Sequence, residues 1–159
     1  MHKIFLIIVA FLSNSLLFGG ECKHDSNNFR CVKYVKNYDA DTITFNIPST
    51  HPLLGKKINI RVYGVDTPEL RTKNRCEKIK ALEAKSIVTN LLIKANRIDL
   101  ENVQRGKYFR IVADVKFDGN SLKNYLLKQG LAYKYYGKTK VKIDWCQSKR
   151  SIASMNNEK

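Results

Sequence analysis

One stretch of this chain restricts its fold more than any other. Ile58, Ile60 and Val62 alternate with Asn59, Arg61 and Tyr63, the period-2 pattern of a strand with one buried face. The alternation then runs into Gly64-Val65-Asp66-Thr67-Pro68-Glu69-Leu70. Glycine adopts backbone angles that other residues avoid, and proline has no N–H to give to a ladder, so the strand is predicted to stop by about Asp66. Asp66 and Glu69 then lie on a loop at a strand end, held by a rigid scaffold and open to solvent, where binding and catalytic groups are commonly carried.

A second acidic cluster, Tyr38-Asp39-Ala40-Asp41-Thr42, stands directly before the alternating run Ile43, Phe45, Ile47. Asp41 shares the parity of those apolar residues. A carboxylate on the core-facing side of a strand end is costly to bury alone and makes sense beside a cation. Read by itself the cluster is more readily a turn, because Asp and Asn favour turns and acidic residues near strand ends are commonplace.

The rest of the pattern supplies a scaffold for these two clusters. Strands are predicted at 32–35, 42–47 and 57–65, with Pro48, Pro52 and Gly55 marking the turn between the last two. From Arg75 to Ala95 the spacing becomes helical, carried by Ile79, Leu82, Ser86, Ile87, Leu91 and Ile93. Strands return at 97–103 and 110–117, and Asp118-Gly119 reads as a turn. A short helix is predicted over 121–129 with Gly130 as its C-cap, and a last helix from about Asp144, fraying over 155–159. There is no internal repeat and no interdomain linker. At 159 residues the chain has room for one domain of ordinary size. Five short strands with a helix after the third and more at the end predict an α+β, mainly β fold: a five-stranded, partly open barrel of the OB type with about three helices. That architecture serves oligonucleotides, oligosaccharides and structural roles alike.

Charge and cysteine content narrow the setting. Twenty-nine Lys and Arg against 14 Asp and Glu give a formal charge of +15, a field that attracts polyanions, with nucleic acid first and anionic membrane second. Met1-His2-Lys3 precedes the nine-residue apolar run Ile4 to Leu12. That is too short to span a bilayer, which takes about 20 residues, and right for the core of a secretory leader. The expected organisation is a leader over 1–20, an N-terminal extension over 21–31, the barrel domain over 32–145, and a helix and tail over 146–159. The product is expected to be an exported monomer, periplasmic or secreted, with no stable membrane insertion after the leader is removed. Four cysteines without C-x-x-C spacing in an exported chain favour disulfides over zinc. Of the three connectivities, Cys22–Cys31 with Cys76–Cys146 is preferred, the first closing a small loop and the second tying the long helix to the C-terminal tail.

Between the last two strands lies Arg105-Gly106-Lys107-Tyr108-Phe109-Arg110. A charged hairpin tip is ordinarily a solvated one. Here it brings a second arginine to a chain that already offers Arg61, Asp41, Asp66 and Glu69. Phosphodiester hydrolysis calls for that set. A hard cation on carboxylate oxygens neutralises the phosphate, a carboxylate activates water, and planar guanidinium forks hold the oxygens of the transition state.

Asp39-Ala40-Asp41-Thr42, Arg61 followed five residues on by Asp66-Thr67-Pro68-Glu69, Lys107-Tyr108-Phe109-Arg110, and the stretch from Asn124 to Ala132 together resemble the staphylococcal nuclease, or thermonuclease, family. The resemblance covers about 32–136 in matching order and spacing. It implies an OB-fold barrel and a Ca2+-dependent endonuclease acting on DNA and RNA and leaving 3′-phosphate products. Carried over by position, Asp41 and Asp66 match Ca2+-binding carboxylates and the Thr67 carbonyl a third ligand. Glu69 matches the general base, and Arg61 and Arg110 the phosphate-binding pair. Lys107 and Tyr108 match positions at the terminal phosphate of a bound nucleotide, and Tyr136 aligns loosely with an aromatic nucleotide wall. Ala40 and Phe109 stand where the family usually has glycine. The alternative from another class is a non-catalytic exported OB module that captures single-stranded nucleic acid by charge and stacking. Against it, binding alone does not call for acidic groups turned toward a phosphate.

Overall fold

The alternating stretches become the strands of a curved sheet in the computed structural model, which describes residues 21–140, 142–147 and 149–157. The expected leader over 1–20 lies outside the described residues. The elements are β1 (Lys33–Asn37), β2 (Thr42–Asn46), α1 (Pro52–Gly55), β3 (Ile58–Val62), β4 (Val65–Asp66), α2 (Arg75–Lys94), β5 (Ile98–Arg105), β6 (Ile111–Phe117), β7 (Asn120–Ser121), α3 (Leu122–Lys128), β8 (Tyr133–Lys134) and α4 (Lys149–Met155). The long strands follow the order β1-β2-β3-β6-β5. All neighbours are antiparallel except β3 and β6, which run parallel with Arg61 opposite Val112. The two ends of this path are joined. Phe29 and Leu100 exchange backbone hydrogen bonds at 2.8 Å each, and the Val32 N–H donates to the Ile98 carbonyl at 2.9 Å. The residues just before β1 therefore pair with β5 and cover an edge that would otherwise be open to other strands.

Ile43, Phe45, Ile60, Val62, Leu100, Ala113 and Val115 fill the barrel, each 1% exposed or less. They are the in-facing residues of the strands that hydropathy alternation marked. The long helix keeps only part of the face that the large residues suggest: Ile87 and Leu91 pack against the core. Ala81, Ala84, Val88 and Leu92 are buried, whereas Ile79, Leu82 and Ile93 are more than half exposed. Small side chains at 81 and 84 let the helix backbone approach the sheet closely, and bulkier ones there would overpack it. The single turn α1 occupies the β2–β3 connection, with the His51 ring accepting from the Leu53 N–H at its start. The last helix begins at Lys149 rather than near Asp144, because Trp145 is buried against Tyr133 and Ile152 and the Asp144 carboxylate caps the Cys146 N–H in a turn. Cys22 is bonded to Cys31, and Cys76 to Cys146. Among the described residues no helix is long and apolar enough to cross a membrane.

Candidate active site

Arg61 sits on the middle strand β3, opposite Thr42 on β2 and Val112 on β6. Its guanidinium is only 17% exposed and is held by two carboxylates, one nitrogen bonding Asp41 Oδ1 and the other Asp66 Oδ1. Asp41 is 1% exposed, as its parity with Ile43 and Phe45 requires, and Asp66 is 3% exposed at the end of β4. Two acidic residues, one directly before β2 and one in β4, thus converge on one planar fork, the geometry for which arginine is suited and lysine is not.

The other carboxylate oxygens are also occupied. Asp41 Oδ2 accepts from the Thr67 N–H at 3.0 Å and from the Thr67 hydroxyl at 2.9 Å. Asp66 Oδ2 accepts from the Tyr133 hydroxyl at 2.9 Å and pairs with the Lys140 ammonium at 3.0 Å. The same ammonium reaches Glu69 Oε1 at 3.0 Å. Burial pushes the Asp41 carboxyl well above the usual carboxylate range, with the Arg61 charge opposing and the Asp39 and Asp66 charges adding to the rise. Burial works to lower the Arg61 pKa, but Asp41 and Asp66 outweigh it, so the guanidinium stays charged. Burial raises the Tyr133 hydroxyl above the tyrosine range, and its hydrogen bond to Asp66 raises it further. Lys140 is likewise raised, burial being outweighed by Asp66 and Glu69.

Glu69, on the loop between β4 and α2, is half exposed. Its backbone is fixed by the start of α2. Asn74 caps that helix by accepting from the Glu77 N–H at 3.1 Å, and the Glu77 carboxylate accepts from the Glu69 N–H at 3.2 Å and the Thr72 hydroxyl at 2.7 Å. Glu69, Arg61 and Arg110 line one cleft of about 350 Å³, with Thr42 and Asn59. Arg110, directly before β6, makes no ion pair among the described residues. Next to this cleft is a second of about 290 Å³, which Arg61 and Arg110 also line, together with Lys107, Tyr108, Tyr135 and Tyr136. Tyr136 meets Tyr63 edge-on at 5.6 Å. Gly64 makes that approach possible: its φ is +78° and a Cβ there would lie 3.1 Å from the Tyr136 ring. Tyr108 is 87% exposed at the rim.

Of the residues singled out in the sequence, Arg61, Glu69, Arg110, Lys107, Tyr108 and Tyr136 line these clefts, while Asp41 and Asp66 bond the Arg61 guanidinium and Thr67 bonds Asp41. Thr67 does so by a different group from the expected carbonyl, giving its N–H and hydroxyl to Asp41. Sequence reasoning missed Glu77, Tyr133 and Lys140. Asn74 followed three residues on by Glu77 is a recognisable helix-start signal, whereas Lys140 carries no local mark among so many lysines.

Among the described residues no three His, Cys, Asp or Glu side chains gather as a metal cluster. Carboxylate oxygens are the donor type that a hard divalent cation calls for, and here each oxygen of Asp41 and Asp66 already has a donor in Arg61, Thr67, Tyr133 or Lys140. Two buried carboxylates lie within the span of a single guanidinium, and a second cation, Lys140, completes the neutralisation of Asp66.

A barrel of the OB type with an acid-and-arginine cleft beside an aromatic groove is the class of protein defined so far. The family described as staphylococcal nuclease homologue matches residues 59–154, more than half of the sequence, and the chain belongs to it. Endonuclease YncB of Bacillus subtilis (strain 168) is 38% identical over 92 residues, covering 54% of this chain and 43% of that protein. The SPbeta prophage-derived endonuclease YokF of the same organism is 34% identical over 129 residues, covering 76% of this chain and 40% of that protein. The chain spans about two fifths of the length of these relatives.

Proposed function

We propose that this protein is an exported endonuclease that hydrolyses phosphodiester bonds of DNA and RNA with Ca2+ as cofactor, leaving 3′-phosphate products. The observation that carries this reading is the shared cleft of Glu69, Arg61 and Arg110 beside the buried Asp41 and Asp66. Support also comes from the family match, the two relatives named as endonucleases and the +15 charge. The two disulfides and the apolar run after Lys3 support export.

In the proposed reaction Arg110, free of a carboxylate among the described residues, binds a non-bridging phosphate oxygen through its fork. Arg61 binds a second oxygen, and in doing so trades a carboxylate partner for the anionic substrate. Glu69 accepts the proton of the water that attacks phosphorus, the P–O bond to the 5′ oxygen breaks, and that oxygen leaves as a 5′ hydroxyl with a proton from solvent, to which the half-exposed Glu69 returns its own. Asp41 and Asp66 would hold a divalent cation, which would supply charge neutralisation of the phosphate. Lys107, Tyr108 and Tyr136 line the neighbouring groove, where a base and its flanking phosphate can be received by stacking and charge.

The test is digestion of plasmid and of RNA by the purified chain without its leader. Activity is expected with Ca2+, none in excess chelator, and recovery on adding Ca2+ back. Glu69→Gln is expected to lower kcat by about 10² to 10⁴-fold while nucleic-acid binding, followed by anisotropy, is kept. Cleavage that persists in chelator would remove the cation from the mechanism, and a fully active Glu69→Gln would remove the base.

A further inference from the structure

Arg61 and Arg110 line both clefts, so a phosphate held between them has a cleft on either side. A phosphate within a strand joins two nucleosides, and both need a place. The groove of about 290 Å³ offers one nucleoside Tyr108 and Tyr136. The cleft of about 350 Å³ carries an aromatic residue of its own, Tyr38.

Tyr38 is held in position from several directions. It stands in the turn between β1 and β2, which its own hydrogen bonds close. The Tyr38 N–H donates to the Thr42 carbonyl at 2.9 Å, and Asp39 Oδ1 accepts from the Asp41 N–H at 3.1 Å and the Thr42 N–H at 2.7 Å. Asn37 ties the turn to α2 by donating to the Asp39 carbonyl at 2.8 Å and to the Lys85 carbonyl at 3.2 Å. The ring is met by the Arg71 guanidinium, 5.7 Å from its centroid. Arg71 follows Glu69 on the loop whose backbone Glu77 fixes. Tyr38 nevertheless stays 45% exposed, so an aromatic surface is left open at the cleft.

Charge at that wall selects what can lie on it. Asp39 and Glu69 line the same cleft and repel a second phosphate, whereas a neutral base can stack on an exposed ring braced by a cation. We propose that Tyr38, braced by Arg71, is a second stacking platform, which receives the unpaired base on the far side of the scissile phosphate from the Tyr136 groove. The site then grips a dinucleotide step, with one base on each side of the two arginines. This rests on the proposed nuclease reading.

The test uses an end-labelled single-stranded DNA oligonucleotide, intact or with one tetrahydrofuran abasic residue at its centre, cut under single-hit conditions and read linkage by linkage on a sequencing gel. On the intact strand Tyr38→Ala is expected to cut about tenfold more slowly than the parent, the rate equivalent of one lost stacking contact. The two linkages flanking the abasic residue should then differ. At one of them the missing base is the one Tyr38 receives, so the parent cuts it about tenfold more slowly and Tyr38→Ala adds no further loss. At the other the missing base belongs to the Tyr136 groove, and the Tyr38→Ala loss remains in full. Tyr38→Phe keeps the ring and should match the parent at every linkage. Tyr38→Leu fills the turn without a π face and should match Tyr38→Ala. A Tyr38→Ala loss equal at both flanking linkages, or a Tyr38→Leu protein that cuts the intact strand like the parent, would overturn the platform while leaving the nuclease standing. A parent that cuts neither strand would overturn the nuclease reading and this one with it.

Discussion

Arg61 and Arg110 share a residue type and a cleft but differ in what holds them, and that difference separates their expected phenotypes. Among the described residues Arg61 alone bridges the two buried carboxylates and is the one ion-pair partner of Asp41, so Arg61→Lys, which cannot fork, weakens one of the two contacts. A loss of about 3 kcal/mol in denaturant unfolding is expected, along with a severe loss of activity. Arg110 makes no ion pair among the described residues, so Arg110→Lys should change stability by less than about 0.5 kcal/mol and still lower kcat/KM by 10²-fold or more, roughly, through loss of the fork. Normal turnover by Arg110→Lys would remove it from the phosphate site. Tyr133 gives a pH signature at the same scale. Its hydroxyl donates to Asp66 and its pKa is raised by burial and by that bond. A raised folded-state pKa means that the stabilisation is complete below the ordinary tyrosine value of about 10 and is lost as the pH rises through the folded value. Tyr133→Phe should therefore cost about 1 kcal/mol at pH 7, and the gap to the parent should narrow above roughly pH 10. A gap that does not change with pH would show that the hydroxyl contributes nothing through its proton.

At the level of elements, α2 does more than cover the barrel. Its N-terminal turn links Asn74, Glu77, Thr72 and the Glu69 backbone in one hydrogen-bonded chain, so helix capping and the placement of the proposed base are the same structure. Asn74→Ala should lower stability by about 1 kcal/mol and, because the loop loosens with the cap, lower kcat more than it raises KM. Unchanged kinetics with lowered stability would separate the cap from the site. The spacing of this helix was legible in the sequence, but its buried face only in part. Ile79 and Leu82 have the hydropathy of core residues and point outward, while Ala81 and Ala84 face the sheet, since closeness of approach and not side-chain size decides that contact.

At the scale of the whole molecule, a +15 chain should bind nucleic acid largely through its phosphates. For a Glu69→Gln protein, the logarithm of the affinity should fall linearly with the logarithm of salt concentration, with a slope of roughly −0.9 per duplex phosphate contacted. A flat salt response would mean that stacking in the Tyr108 and Tyr136 groove dominates instead. The strands, the Asp66 to Glu69 turn, the arginines and the presence of disulfides could be read from residue order, because hydropathy alternation, turn chemistry and cysteine count are local or countable properties, whereas which cysteines pair was a choice among three connectivities. What residue order alone could not give was the partner of each charge. That Arg61 lies between Asp41 and Asp66, that Thr67 turns its donors onto Asp41, and that Lys140 reaches across 71 residues to Glu69 all depend on barrel closure and on the return of the C-terminal segment to the site. Pairing between charges is a matter of distance in space, and only the folded chain sets that distance.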